Sequence, residues 1–238
     1  MRYRIFLAGA TGVIGRRLAA LLRDAGHHVT GTTRDASKAA ALHAIGVDPA
    51  VVDVFDRDAL ARAVASATPE IVVHQLTDLP RGLDPARMDD AIRRNARLRT
   101  EGTRNLVDAA VAAGARRLIA QSIAWAYAPG AEPHVESDQL DVGAQGIRAV
   151  SVGGIVALER AVLDAPLEGV VLRYGQLYGP GTGTDAATGA SPVHVDAAAR
   201  AALFAVDRGA PGIYNIAEPN PHVSAGKALI EFGWHAAG

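Results

Sequence analysis

Residues 6–19 read FLAGATGVIGRRLA, with glycines at positions 9, 12 and 15. The apolar run that ends at Gly9 suits a buried strand, and the residues after Gly12 suit a helix. A glycine triplet alone is weak evidence, because a tight turn needs glycine for steric reasons without any ligand. Its context decides. A glycine turn that closes a strand and opens a helix aims the free amides of the first helical turn, with the helix dipole behind them, at a negative charge. The stretch therefore predicts a dinucleotide site in which Gly9, Thr11, Gly12, Val13, Ile14 and Gly15 hold a pyrophosphate. Gly12 would admit the phosphate, and Gly15 would let the helix pack closely on the sheet.

Outward from this turn, apolar strand-like runs alternate with helical ones. VIGRRLAALLRDAG carries Ile14, Leu18, Leu21 and Leu22 at helical spacing and ends at Gly26, a suitable C-terminal cap. HVTGTT, the helical DASKAAALHAIG, the short DPAVVDV, the helical RDALARAVASA and the strand EIVVHQL follow in order. A helical region is expected from about Asp84 to Gly114, with Asp84-Pro85 as its start signal. RRLIAQS and GVVLRYG read as two further strands, separated by a loop and the helix GIVALERAVL. Strands this apolar, each followed by a helix, indicate an α/β protein: a doubly wound parallel sheet (Rossmann fold) with helices on both faces. The Gly-, Pro- and Thr-rich loop YGPGTGTDAATGASP marks the end of the regular alternation. Residues 1–174 are expected to form the dinucleotide-binding domain. Residues 175–238 are too few for an independent domain and are expected as a small C-terminal substrate lobe, with a returning strand near 212–217 and the alternative that they count as one domain with the first.

Bulk properties narrow the function classes. The 238 residues carry a formal net charge of −1 and are 49% hydrophobic and 21% charged, ordinary values for a globular chain. No stripe of Lys and Arg favours nucleic acid or an anionic membrane. The absence of cysteine excludes disulfides, thiolate nucleophiles and Cys-ligated zinc, and it suits a reducing compartment. No metal site is expected: His27 and His28 are adjacent and point apart, and no His-x-x-x-His spacing occurs. Basic residues precede the first apolar run, as in a secretory leader, but the run breaks at Gly9 and passes into a charged helix. No run approaches membrane-spanning length. A soluble, cytoplasmic protein acting on a small molecule is the expectation, with a homodimer left open.

The end of the second strand bears on the choice of cofactor. NAD-preferring sites place an acid there for the ribose hydroxyls. Here TGTTRDASK puts Thr33 at that place, with Arg34 next and Lys38 four residues on. A forked guanidinium and a second cation suit a 2′-phosphate, so NADP is expected, with NAD as the alternative. Arg34 can also be read as a solvated loop charge that Asp35 partly neutralises.

GATGVIG, VVDVFDRDAL, EGTRNLVDAA, LRYGQLYGPGTGT and PGIYNIAEP, in this order, resemble the extended short-chain dehydrogenase/reductase superfamily in its NAD(P)-dependent epimerase/dehydratase branch. The resemblance covers nearly the whole chain. It implies that Asp53, with Val54 beside it, meets the adenine, and that Gln75, Leu76 and Thr77 after His74 line the nicotinamide half. Glu136, Asp138 and Leu140 resemble the loop bordering the substrate pocket.

The same resemblance implies a Tyr-x-x-x-Lys pair on the helix before LRYG and a Ser or Thr before it. Aligning Glu159 with the family's following glutamate puts Ser151 at the tyrosine and Ile155 at the lysine; a shift of one gives Val152 and Val156. Counting back from Tyr127 puts Ile123 at the third position, with Ser122 beside it. An aliphatic side chain cannot move a proton, so the usual mechanism cannot run as written. The expectation is an oxidoreductase or epimerase-like enzyme with relocated acid/base chemistry, acting on a small carbonyl, hydroxyl or sugar-like substrate. Tyr127 is the first choice of acid, with Ser122 beside it and Tyr174, Tyr178 and His74 as further candidates. Two alternatives stand alongside: a catalytically silent NADP-binding sensor or assembly subunit, and a non-redox isomerase or lyase.

Overall fold

The computed structural model describes residues 1–80 and 84–236. Seven parallel strands form the main sheet: β1 (Arg4–Ala8), β2 (His28–Thr33), β3 (Asp48–Val51), β4 (Ile71–His74), β5 (Arg117–Ile123), β6 (Glu168–Tyr174) and β9 (Gly212–Ile216). Their order is β3-β2-β1-β4-β5-β6-β9. Between β1 and β4 the winding reverses, and in such sheets ligands bind at the carboxyl ends of the strands beside that reversal. The turn after β1 sits at that point.

Both faces of the sheet are covered, which is why its strands lack polar alternation. Ile5 and Leu7 face a core shared with α1 (Val13–Asp24), whose Ile14, Leu18 and Leu22 are buried against it. Phe6 and Ala8 face the opposite layer with Leu60, Leu106 and Leu158. Those residues belong to α3 (Arg57–Ala67), α5 (Thr103–Ala112) and α6 (Gly146–Leu163). Gly26 ends α1 with φ +84°, as its capping role requires.

Three helical expectations change in detail. The stretch from Asp35 to Gly46 holds a 3₁₀ turn (Ala36–Lys38) and a short α2 (Ala39–Ala44). The region after Asp84 runs as a 3₁₀ turn (Pro85–Arg87), α4 (Met88–Arg97), a π-helical turn (Leu98–Gly102) and α5. Helix α6 begins at Gly146, well before the GIVALERAVL expected from pattern, because packing on α4 holds residues whose own periodicity is poor.

The expected C-terminal lobe is not a separate body. Strand β9 adds to the sheet beside β6, and α7 (Val195–Phe204) lays its alanines into the same core as Ile5 and Leu18. Trp234, after α8 (Gly226–Phe232), donates its indole N–H to the Ala197 carbonyl at 2.9 Å and ties the end of the described chain to that helix. Only the short parallel pair β7 (Gln176–Tyr178) and β8 (Pro192–His194) forms a sheet of its own. Among the described residues, no helix is long and apolar enough to cross a membrane.

Candidate active site

The glycines of the first turn divide the work. Gly9 has φ +89°, and a β-carbon there would stand 2.8 Å from the Gln75 carbonyl oxygen, so only glycine fits. Its amide donates to Thr32 Oγ1 at 2.9 Å, a tie from β2 that sequence pattern did not reveal. Gly12 caps α1 with φ −73° and no side-chain cap, and no acid stands in the first turn. A β-carbon there would come no nearer than 3.2 Å to protein, at Gly9 O, so the helix end is left open to a ligand. At Gly15 a β-carbon would fall 2.0 Å from Gly9 O. Gly15 therefore holds the turn itself together.

A cleft opens over this turn, lined by Gly9, Thr11, Gly12, Arg34, Lys38, Val54, Gln75, Leu76 and Thr77. Ala8, Thr32, Thr33, Val52, Leu60 and Leu98 complete its walls; all but Thr33, read from sequence as standing where an acid would, were missed. Leu98 comes from the π-helical turn, whose inward face a helical period does not foretell. Val13, Ile14 and Gly15 lie behind the opening, where they can contribute amides and packing but no side-chain wall. Asp53 sits between two wall residues and accepts the Phe55 amide at 3.0 Å.

The residues present fit a dinucleotide. Beside the unblocked helix end, Gln75 carries a buried Oε1 with no partner among the described residues, while its Nε2 donates to the Tyr174 hydroxyl at 3.3 Å. A buried carbonyl oxygen without a donor is costly unless a ligand supplies one.

At the β2 end the charges sort themselves. Asp35 accepts from the Ser37 amide at 3.0 Å and its hydroxyl at 2.6 Å, and pairs with Lys38 at 3.5 Å. The Ser37 hydroxyl is the main influence holding its carboxyl below the usual range. Asp35 is thus engaged, and Arg34 has no ion pair among the described residues. Thr33 Oγ1 accepts the Asp35 amide at 3.1 Å and shapes this corner.

Beyond the cleft lining, the surroundings of each candidate acid depart from expectation. Ser122 is fully buried and donates to Glu159 Oε1 at 2.7 Å. Arg173 grips Glu159 with two bonds, Nε to Oε1 at 2.8 Å and Nη2 to Oε2 at 2.6 Å. Burial opposes the charge on Arg173, yet the Glu159 bonds hold it above its ordinary value. Tyr127 is 5% exposed; its hydroxyl accepts from Arg173 Nη1 at 2.9 Å and donates to Asn215 Oδ1 at 2.7 Å. Burial pushes this phenol up despite Arg173. Its ring stacks on His134 with centroids 4.8 Å apart.

Tyr127 and Ser122 therefore belong to a buried network that joins β5, α6, β6 and β9, and neither lines the cleft. Their hydroxyls are engaged within this network. His74 is buried too: Nδ1 accepts the Leu76 amide at 3.2 Å, so Nε2 carries the proton toward Thr103 Oγ1 at 3.0 Å. Burial, with Arg99 assisting, lowers its pKa to about 4. Tyr174 is buried under Gln75, and its phenol is pushed up by burial. Tyr178 donates to Glu218 at 2.7 Å. Ile123 and Ile155 pack with Ala126 and Val152 in a small apolar cluster, and Ser151 is buried on the same helix.

Comparison with known proteins agrees with this architecture. The model of the NAD dependent epimerase/dehydratase family matches residues 5–193. A 3-diazoavenalumate denitrifying reductase from Streptomyces sp is 43% identical over 244 aligned positions, covering 93% of this chain and 78% of that protein. A UDP-glucose 4-epimerase from Thermotoga maritima, solved with UDP-glucose, superposes with a TM-score of 0.79 at 17% identity, over 100% of this chain and 94% of its own. A UDP-glucose-4-epimerase from Stenotrophomonas maltophila, with bound NAD and formylated UDP-arabinopyranose, gives 0.79 at 16% identity over 98% and 93%. At such identities these two structures speak for the fold alone.

Proposed function

The chain belongs to the NAD dependent epimerase/dehydratase family, and from that premise we propose that it is an NADP-dependent reductase that replaces the diazo nitrogen of a small organic acid by hydrogen. One observation carries the reading: the glycine turn opens on a cleft with an unblocked helix end, while Ile123 and Ile155, packed in one apolar cluster, stand where the family resemblance expects a Ser or Thr and a Lys. Reduced nicotinamide supplies a hydride when bound. A carbonyl that accepts hydride becomes an alkoxide and needs an acid. A diazonium carbon does not: hydride forms the new C–H bond, the C–N bond breaks, and its electron pair leaves with neutral N₂. No oxyanion develops, so Ile155 and Ile123 forfeit nothing where Lys and Ser or Thr would otherwise stand. The 43% identical Streptomyces relative, a denitrifying reductase of a diazo acid, supports the same chemistry.

In this reading the chain's residues bind, orient and exclude water. The Gly9–Gly12 turn and the start of α1 hold the pyrophosphate, and Arg34 with Lys38 selects the 2′-phosphate. Gln75 offers Oε1 to a donor at the reacting end. The cluster of Ile123, Val152 and Ile155 keeps water from competing for the diazonium group.

The test offers NADPH deuterated at the transferred position to the protein with an aryl diazonium carboxylate and with a panel of carbonyl compounds. The expected result is deuterium on the ring carbon, release of N₂ and an inert carbonyl panel. The rate of the hydride step should stay flat from about pH 6 to about pH 9, and Tyr127→Phe should match the parent within about threefold. A loss of 10²–10⁴-fold in Tyr127→Phe, typical of a positioned acid, would overturn the acid-free mechanism. NADPH binding without reduction of any substrate would favour the silent dinucleotide-binding alternative.

A further inference from the structure

Among the described residues three arginines are buried: Arg99 at 7% exposure, Arg117 at 4% and Arg173 at 3%. Two of them are fully engaged. Arg117 donates to the carbonyls of Ala205, Arg208 and Gly209 and pairs with Glu168 at 2.8 Å. Arg173 is held by Glu159 and Tyr127. Arg99 differs: it makes no hydrogen bond and no ion pair with any described residue. Gln75 Oε1 is the one fully enclosed side-chain polar atom without a partner among the described residues, so the Arg99 guanidinium keeps some contact with solvent while burial works against its charge.

The surroundings of Arg99 indicate a use. Arg99 belongs to the π-helical turn, immediately after Leu98, which lines the cleft. This helix packs on α6 so tightly that a β-carbon at Gly154 would lie 3.0 Å from Ala96 Cα, which brings Ser151 and Ile155 to the same side. The Arg99 charge is felt at His74, at the end of β4, and by Glu159 on α6. Glu159 supports the charge from a distance but makes no bond to Arg99, its oxygens being engaged by Arg173 and Ser122. Burial draws the guanidinium down to about 10, with Glu159 opposing. A forked cation without a bonded anion therefore sits within reach of the charges on β4 and α6, next in sequence to Leu98 of the cleft wall.

We propose that Arg99 is the anchor for a carboxylate of the substrate. The proposal rests on reading the cleft as the reductase site of an organic acid, and it adds which side chain recognises the acid group. Planar guanidinium and carboxylate groups match in a two-bond fork. Cofactor phosphate has the same oxyanion chemistry, but the turn after β1 and the Arg34 corner after β2 already provide for it. Arg99 lies toward β4 and α6 instead.

The test uses the full chain saturated with NADP⁺ and titrates cinnamate, a carboxylate that carries no diazo group, against its neutral methyl ester by calorimetry. Arg99→Met should weaken cinnamate by about 10- to 100-fold, the range of a lost charge-assisted fork, and should leave the ester and NADP⁺ within about twofold. Arg99→Lys should keep part of the affinity. Without ligand, Arg99→Met should melt higher than the parent, because it removes a lone buried charge; a structural arginine would lower the melting temperature. The proposal is overturned if cinnamate binds Arg99→Met as it binds the parent, or if NADP⁺ affinity falls instead, which assigns the anion to the cofactor. It is also overturned if Arg99→Met and Arg99→Lys both melt lower and bind neither ligand. Cinnamate binding that depends on Arg99, without turnover of any diazo acid, would keep the anchor and sink the diazo reading; diazo turnover indifferent to Arg99 would do the reverse.

Discussion

Two regions near the carboxyl ends of the strands are built on different principles. At the β1–β2 end, Gly9, Gly12 and Gly15 present backbone, and two exposed cations stand at the rim. At the β4–β5–α6 end, side chains carry everything: Ser122, Glu159, Arg173, Tyr127 and Asn215 are locked into one buried network around an apolar cluster. A binding site made of backbone is partly tied to the fold: Gly9 and Gly15 shape the turn, while Gly12 leaves it open. A site made of side chains can exchange its chemistry residue by residue while the scaffold stays. In the reading proposed above, the binding end is backbone and aliphatic groups stand where the family resemblance places proton transfer.

The largest effect expected separates scaffold from ligand within the first end. Gly15→Val places a β-carbon within 2.0 Å of Gly9 O and should cost well over ~3 kcal/mol, leaving little folded protein. Gly12→Val has a permissive φ of −73° and a 3.2 Å neighbour, so it should fold at a cost of about 1 kcal/mol and lose NADPH binding. Thermal melts alongside calorimetry check both. Two variants that behave alike would erase the division between turn and phosphate site.

The second effect sharpens the other end. His74 has its pKa lowered to about 4 in the folded protein, against a model-peptide value near 6.5. Below about pH 6.5 the unfolded chain takes up a proton that the native chain refuses, so stability falls as the pH drops from about 6.5 towards 4. The loss is about 3 kcal/mol, and it is absent above that window. His74→Asn, which retains an acceptor for the Leu76 amide, should flatten this part of the urea-unfolding profile. Parallel profiles for parent and variant would show that His74 titrates normally and is more open than its burial implies.

The smallest effect concerns selectivity at the rim. Arg34→Ala should lower NADPH affinity by about 1.5–3 kcal/mol, roughly one to two powers of ten, with NADH affinity nearly unchanged. Equal affinity of the parent for the two cofactors would remove Arg34 from the phosphate site. Because Arg34 is exposed and forms no described ion pair, the variant should melt with the parent.

Much of the first end was legible in the sequence. The glycine spacing, the apolar strand before it and the amphipathic helix after it marked the turn, and Arg34 and Lys38 stand at the cleft as their place after β2 suggested. The second end was not. Tyr127 follows a strand on the ligand side, which made it the first choice of acid, yet its hydroxyl is taken by Arg173 and by Asn215, 88 residues further along the chain. Arg99 drew no notice inside a helical stretch, because only the π-helical turn and the packing of α6 bury it without a partner.

The sequence by itself determined the doubly wound sheet and the dinucleotide turn, because strand apolarity, helical period and glycine freedom are local properties of neighbouring residues. The tertiary structure alone decided that β9 and α7 share the main core, that the Tyr127 hydroxyl is taken up by Arg173 and Asn215, and that Arg99 has no partner among the described residues. Each of these depends on which side chains meet across distant elements. A hydroxyl or a guanidinium has the same intrinsic chemistry in any sequence; its availability is set by burial and by the partners that folding brings within hydrogen-bonding distance.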